Sequence, residues 1–189
     1  ITGANSCLDR HNIESYLSNL TYNFRDKYYM SASFRRDGTS RFAPESRWGN
    51  FYSLGASWRM SEEPFMKKYE WLDNLTLRIS YGEQGNERIS NYYAWLGLYD
   101  VIKDSGNSGF SLNTLTNTSL KWERNKQLNF GFEAKLLERF YVSAEYFIKS
   151  SQDLLFSREL PLSSGLGSVA ENIGNVENKG FEISVNSVN

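Results

Sequence analysis

The sequence has little of what most catalytic or disulfide-stabilised proteins need: its 189 residues include one cysteine, one histidine and three prolines. Cys7 alone cannot form an internal disulfide. His11 is the single candidate base for a Ser-His-Asp or Cys-His arrangement, and nothing around it in the sequence supports one. No Cys, His or Asp spacing is typical of a metal site. We therefore expect no enzymatic activity, no cofactor and no metal.

Long apolar runs and an excess of charge are lacking as well. A membrane-spanning helix needs about 20 apolar residues, and the sequence has no such run. A formal net charge of −1 gives no electrostatic basis for binding nucleic acid. The scarcity of proline and the aromatic content of 15% both favour long β-strands.

Strict alternation of apolar and polar residues is the strongest pattern present. Because successive side chains of a strand point to opposite faces, the pattern predicts a sheet with one apolar and one polar face. It occurs in residues 16–24, 28–35, 51–59, 75–82, 127–135, 140–149 and 180–186. On the polar face we expect a network of ion pairs and hydrogen bonds that includes Arg59, Arg78, Glu133, Glu145 and Glu182.

Aromatic residues on the apolar face are sorted by height. Aliphatic residues lie between two aromatic groups, which is the arrangement expected at the two interfaces of a membrane. The group near the short connections 25–27 and 135–139 is Tyr22, Phe24, Tyr28, Trp58 and Phe140. The group near the other rim is Phe34, Tyr52, Tyr81 and Tyr146, with Tyr16 beside it. The core of a soluble sandwich has no reason to show this order.

The connections at one rim are short and those at the other are long and polar, which is typical of outer-membrane barrels. We predict an all-β fold, a segment of a large antiparallel transmembrane β-barrel containing about seven to nine strands. Residues 1–12 are expected to be a loop or the tail of a preceding segment, and residues 13–189 the barrel segment, without a plug domain. Within 84–124, either 92–99 pairs with a strand near 109–116, or the whole stretch is one long outer loop.

A series of short phrases occurs in a specific order along residues 15–186. The phrases are Arg35–Phe42 (RRDGTSRF), Ala56–Arg59 (ASWR) with Glu63–Met66 (EPFM), Leu77–Gly82 (LRISYG) with Gly85-Asn86, Leu120–Glu123 (LKWE), Asp153–Phe156 (DLLF) and Asn172–Glu182 (NIGNVENKGFE). Together they strongly resemble the β-barrel of SusC/RagA-type TonB-linked outer-membrane transporters of Bacteroidota. The phrases themselves are interpreted as turn and rim architecture.

The resemblance implies a bacterial outer-membrane barrel of about 22 strands that imports oligosaccharides or peptides. It implies a plug, a SusD-like surface lipoprotein over the barrel, and energy delivered by the TonB complex through an N-terminal region that these residues do not include. The remaining partners expected are outer-membrane lipid around the barrel and glycan or peptide cargo within it.

Residues that could touch cargo or the lid are expected on the lumen side or in the long loops. Arginine suits carboxylates and aromatic rings suit sugar faces. The candidates are Arg35, Arg36, Arg41, Arg47, Trp95 and Trp122.

Two other classes of protein remain open at this point. A soluble β-sandwich carbohydrate-binding module would place a second sheet over the apolar face. A passive porin or adhesin barrel would share the wall but not the plug. An enzymatic outer-membrane barrel is not supported, because no histidine lies within the strands.

Overall fold

The computed structural model describes residues 8–89, 91–104 and 107–188. Its strands are β1 (Ile13–Phe24), β2 (Tyr28–Thr39), β3 (Trp48–Arg59), β4 (Leu72–Asn86), β5 (Leu98–Asp104), β6 (Asn107–Thr114), β7 (Glu123–Leu136), β8 (Phe140–Gln152), β9 (Leu155–Glu159), β10 (Ser168–Asn172) and β11 (Val176–Ser187). Short 3₁₀ turns occupy Met60–Glu62 and Leu162–Ser164. In this part of the chain, no helix is long and apolar enough to cross a membrane.

A seven-stranded antiparallel sheet of the described residues forms the wall, in the order β1-β2-β3-β4-β7-β8-β11. The seven predicted strands are all present in it, each extended by a few residues. Its strands have 12 to 15 residues, which exceeds the 9 to 11 or so that a tilted strand needs to span a membrane. Each wall strand pairs with the next wall strand along the chain, which is an up-and-down topology.

The region 84–124 adds a separate hairpin to the fold. Strands β5 and β6 pair only with each other, so this stretch contributes no strand to the wall. The strand predicted at 92–99 is wrong in position: residues 92–96 form turns, and β5 begins at Leu98. Its partner does lie near the predicted 109–116. A second hairpin of β9 and β10 lies in the connection from β8 to β11, where the alternation is too short to predict.

The apolar face of the wall is open. Leu20, Leu54 and Ile79 are 68%, 57% and 49% exposed. No described element packs over them, so the second layer that a β-sandwich requires is missing from this face. The predicted all-β barrel segment is confirmed, and the structure does not support the β-sandwich alternative.

The two aromatic groups follow slanted lines across this face. The register aligns Tyr28 with Leu77 and Phe132, and Phe34 with Tyr52. From β2 to β8 both groups descend by four residues along the strand. In the lower group Phe24, Tyr28 and Trp58 share one row and Phe140 lies four residues below it; in the upper group Phe34 and Tyr52 share one row, Tyr81 lies two residues below it and Tyr146 four. Four residues are about 13 Å along a strand and four strand spacings are about 19 Å, so the line that joins the ends of each group lies at about 35° to the pairing rows.

That angle has a simple physical meaning. Strands of membrane barrels tilt by about 35–45° from the barrel axis, so a ring parallel to the membrane must cross the pairing rows at the tilt angle. Two parallel lines with the same slant are therefore what two membrane interfaces would require of this sheet.

Tight turns close the rim of short connections. Arg25 and Asp26 have φ of 54°, and Leu137 and Glu138 have φ of 51° and 57°. Such left-handed turns match the twist of a hairpin. The Asn23 amide Nδ2 donates to the Asp26 carboxylate at 2.6 Å, which stabilises the first turn without glycine.

Candidate functional site

The long connections at the opposite rim fold together into a structure that we call the loop cap, made of the described residues within 40–47, 87–122 and 153–175 with the ends of the adjoining strands. Its small hydrophobic core consists of Phe42, Phe51, Ala94, Leu120, Trp122 and Ala170. Phe42 and Leu120 are completely buried. Because the wall strands hold no buried apolar cluster in the described residues, this is where water is excluded within the chain.

Trp122 is the centre of the cap core. Phe42 and Phe51 pack edge-on against its ring, at centroid distances of 5.7 and 5.5 Å. Its indole Nε1 donates to the carbonyl of Arg47 at 2.9 Å. Phe51 packs closely over Gly49 and Gly85, where an added Cβ would lie within 2.5 Å of the Phe51 ring. Glycine is needed at both positions for this close approach.

The phrase at 35–42 contributes residues that hold the cap on the wall. Gly38 lies under the Trp48 ring, and Thr39 is completely buried. The Arg41 guanidinium donates to the carbonyls of Glu87 and Ile89 at 3.3 and 2.9 Å, and it stacks on Tyr92. Its interpretation as rim architecture agrees with these contacts.

Asn172 connects three chain segments. Its Oδ1 accepts from the Lys121 amide at 2.9 Å, and its Nδ2 donates to the carbonyls of Lys121 and Asp153 at 2.9 and 2.8 Å. Glu123 similarly accepts from the Leu155 amide. Periodicity gave no sign of Asn172 or of the core residues Phe42 and Leu120. The signal that could have found them is the set of matched phrases, which contains all three.

A cleft of about 480 Å³ lies between the hairpins β5–β6 and β9–β10. Its polar lining consists of Asn91, Asp100, Ser111, Asn113, Thr114, Ser157 and Ser168. The Asn113 amide donates to the Asp100 carboxylate at 2.6 Å. Hydroxyl and amide groups with one carboxylate can hydrogen-bond the hydroxyls of a sugar or the backbone of a peptide.

The structure places the predicted contact residues in different surroundings. Arg35 faces the lumen side, half exposed, with its Nη2 held by the buried Asp37 carboxylate at 3.0 Å. Arg36 lies on the opposite, outer face and stacks on Trp48. Arg41 and Trp122 are engaged in the cap as described. Arg47 and Trp95 are half-buried in the cap.

The predicted polar network on the inner face is sparse. Arg78 forms an ion pair with Glu133, and Arg59 lies over the Tyr29 ring at 5.8 Å. Glu145 and Glu182 face each other on β8 and β11. The hydroxyls of Ser33 and Ser53, 2.6 Å apart, add a hydrogen bond on this face. The inner face is therefore polar but carries few fixed ion pairs.

Glu63 ties the short-connection rim to its aromatic residues. Its carboxylate accepts from the Tyr28 hydroxyl at 2.7 Å, from Lys27 Nζ at 3.2 Å and from Trp58 Nε1 at 3.4 Å. The hydrogen bond from Tyr28 contributes most to lowering the pKa of Glu63 below its usual value, with Lys27 and Trp58 adding to it against partial desolvation. The second matched phrase thus encodes a carboxylate that fixes the polar ends of two ring residues.

The inner and outer faces, the two rims and the cap define an outer-membrane barrel wall with its loops. The family model described as "TonB dependent receptor-like, beta-barrel" matches residues 6–188. The chain therefore belongs to the TonB-dependent receptor β-barrel family, and it is part of an outer-membrane β-barrel. The resemblance stated from the sequence is confirmed.

Similar proteins agree with this assignment. The chain is 38% identical over 178 residues to a TonB-dependent receptor of Formosa agariphila, covering 93% of the chain and 17% of that protein. It is 32% identical to the TonB-dependent receptor SusC of Bacteroides thetaiotaomicron, covering 94% of the chain and 19% of SusC. Both are named as receptors, not as enzymes.

A solved structure of the RagAB peptide importer in its "closed-closed" state superimposes with a TM-score of 0.84 at 30% identity, covering 93% of this chain and 19% of that one. The chain spans about a fifth of the length of these relatives.

Proposed function

We propose that this chain forms part of the wall, the lumen lining and the extracellular loop cap of a TonB-dependent nutrient importer. The observation that carries the proposal is the one-sided construction of the sheet. The outer face of the sheet is apolar and is bounded by the two slanted aromatic lines. The inner face is polar, and a packed loop cap lies at one rim only. The long loops of such barrels are extracellular, so the cap lies where cargo arrives.

The mechanism proposed is passage without covalent chemistry. Cargo is an oligosaccharide or a peptide; the RagAB peptide importer is a relative whose name supports the peptide, and the oligosaccharide rests on the family resemblance. The partners proposed are a SusD-like surface lipoprotein over the cap and the TonB complex, which would act on parts of the protein outside these residues.

Within this segment, the cap cleft and Arg35 are the proposed cargo contacts. The cleft offers neutral hydrogen-bonding groups, while Arg35 offers a guanidinium oriented by Asp37. Arginine binds carboxylates through paired hydrogen bonds, so Arg35 would favour a peptide over a neutral sugar.

Uptake by the full-length transporter tests the cleft. A strain lacking the gene is complemented with wild-type protein, S111W or S108W, and import of labelled oligosaccharides and peptides is followed. Ser111 lines the cleft and Ser108 does not, although both lie on β6. We expect S111W to lose most import at normal outer-membrane levels and S108W to retain it. Wild-type import by S111W would contradict the cleft's role.

Two further measurements complete this test. Import by the wild-type protein in cells without TonB would indicate a passive pore and overturn the importer proposal. An R35Q variant should lose peptide import more than import of neutral oligosaccharides. Equal loss for both classes would exclude carboxylate recognition by Arg35.

A further inference from the structure

Charged side chains lie just beyond the upper aromatic line on the outer face of the wall. On β2, β4 and β7 they are the next outward-facing positions toward the extracellular rim, whereas that position is Asn50 on β3 and Ile148 on β8. Arg36 follows Phe34 on β2, Glu83 follows Tyr81 on β4, and Lys126 follows Leu128 on β7. Lys179 of β11 pairs with Ile148, which is the next outward-facing residue above Tyr146 on β8. This is the level of lipid headgroups if the aromatic line marks the membrane interface.

Arg124 and Lys126 lie beside one buried carboxylate in this zone. Both flank Glu83, with Arg124 Nη1 at 3.7 Å and Lys126 Nζ at 3.8 Å from its carboxylate oxygens. The Glu83 side chain is only 2% exposed and also accepts from the Tyr81 hydroxyl at 2.6 Å. The cation distances exceed a hydrogen bond, so Glu83 offsets part of the positive charge without occupying the donors of the two cations.

The charges around this pair do not cancel. Lys179 is paired with Glu177 at 2.8 Å, which leaves Glu83 alone to balance Arg124 and Lys126. One positive charge therefore remains. The two side chains are 42% and 31% exposed and can be reached from the outer face.

Neutral donors and an apolar surface complete the surroundings. In the register of β7 with β8, Lys126 pairs with Ser150 and Arg124 with Gln152. In the described part of the chain, neither Ser150 nor Gln152 makes a side-chain hydrogen bond. Directly below this row lie Leu128 and Ile148, followed by Phe130 and Tyr146. Four hydrogen-bond donors thus lie above a strip of apolar wall.

We propose that Arg124, Lys126, Ser150 and Gln152 bind the phosphate of an outer-leaflet lipid headgroup, with the lipid's acyl chain along Leu128 and Ile148. Guanidinium and ammonium groups suit phosphate oxygens, and basic residues at membrane level attract anionic headgroups. A lipid is favoured over free phosphate because the cations lie on the outer face, directly above apolar wall.

Lipid A binding to the full-length, delipidated transporter in detergent tests the site by native mass spectrometry. Each removed positive charge should cost about one kcal/mol of binding free energy. R124Q/K126Q should therefore bind lipid A at least about tenfold more weakly than wild type does. R124K/K126R should keep most of the binding. E83Q should bind more tightly, because it removes the negative charge beside the cations.

The matched control is K67Q/K68Q, which removes the same charge from an exposed turn at the opposite rim. It should bind lipid A like wild type. Dephosphorylated lipid A should not distinguish wild type from R124Q/K126Q. Wild-type affinity in R124Q/K126Q, equal loss in K67Q/K68Q, weaker binding by E83Q, or displacement of lipid A by inorganic phosphate would each overturn the proposal.

Discussion

In the wall, large apolar side chains are exposed on one face, whereas in the loop cap they are buried against one another. Leu54 and Ile79 of the wall are half exposed, while Phe42 and Leu120 of the cap are completely buried. Both regions belong to the same β-rich chain and have similar apolar content. The difference shows that the wall uses lipid as its apolar environment and that the cap must make its own.

The two regions also differ in how backbone groups are satisfied. In the wall, backbone N–H and C=O groups are paired with the neighbouring strand in long ladders of hydrogen bonds, as a hydrocarbon environment requires. The cap instead uses side chains such as Asn172 and Arg41 to bind carbonyls and amides of irregular segments. A substitution should therefore act differently in each region, which the following experiments exploit.

The largest effect is expected for W122A in the cap. Removing a buried indole costs about 3–5 kcal/mol, and here it also removes one of two donors to the Arg47 carbonyl, which keeps only the Thr39 amide at 3.3 Å. Hydrogen exchange of the full-length protein should show faster exchange in residues 87–122 and 153–175, with the wall unchanged. W122F should show a smaller effect. Uniform destabilisation of wall and cap would break the distinction between them.

Leu54→Arg tests the wall. A cationic side chain facing lipid near mid-membrane costs about 2–4 kcal/mol. Ser53 is the matched position, because the adjacent residue faces the lumen, and S53R should cost much less. Urea titration of the protein folded into lipid vesicles measures both. Equal costs for L54R and S53R would mean that lipid does not cover the Leu54 face.

A smaller effect is expected at the short-connection rim for E63Q. The lowered pKa of Glu63 means that its charged form is favoured in the folded state. The stability that the Glu63 carboxylate adds to the folded state is fully present above the ordinary carboxyl pKa, and it is lost as pH falls through the lowered pKa. Trp58 fluorescence in vesicles should change in that acidic range for wild type. E63Q should lack this transition, and a transition that persists in E63Q would assign it to another group.

The smallest effect is expected for E171Q in the cap hairpin β9–β10. Arg158 donates to Glu171 twice, at 3.0 and 2.8 Å, and its hydrogen bond is the main cause that lowers the pKa of Glu171. The stabilisation is again lost as pH falls through that lowered pKa. Because the pair is exposed, hydrogen exchange in β9 and β10 should increase only slightly and less so at high salt. A large, salt-independent increase would contradict this assignment.

The wall was predictable from the sequence because its rule is local. Alternation with period two fixes which face each side chain occupies, as Leu75, Leu77 and Ile79 show for β4. The short turns at 25–27 and 137–139 then fix which strands are neighbours. The displaced strand at 92–99 shows the limit of this reasoning, since Tyr92 to Leu98 is apolar on both sides and contains no period-two signal.

The alternating strands and the two aromatic groups of the apolar face were determined by the sequence itself, because each depends on residues that are close along the chain. The register of β4 with β7 and of β8 with β11, which spans long connections, was supplied by the structure. The tertiary structure alone decided that Trp122 packs in a core and that Arg124 and Lys126 share Glu83. Those contacts join segments 40 to 80 or so residues apart, and for such separations the chain's folding, not its local pattern, selects which side chains meet.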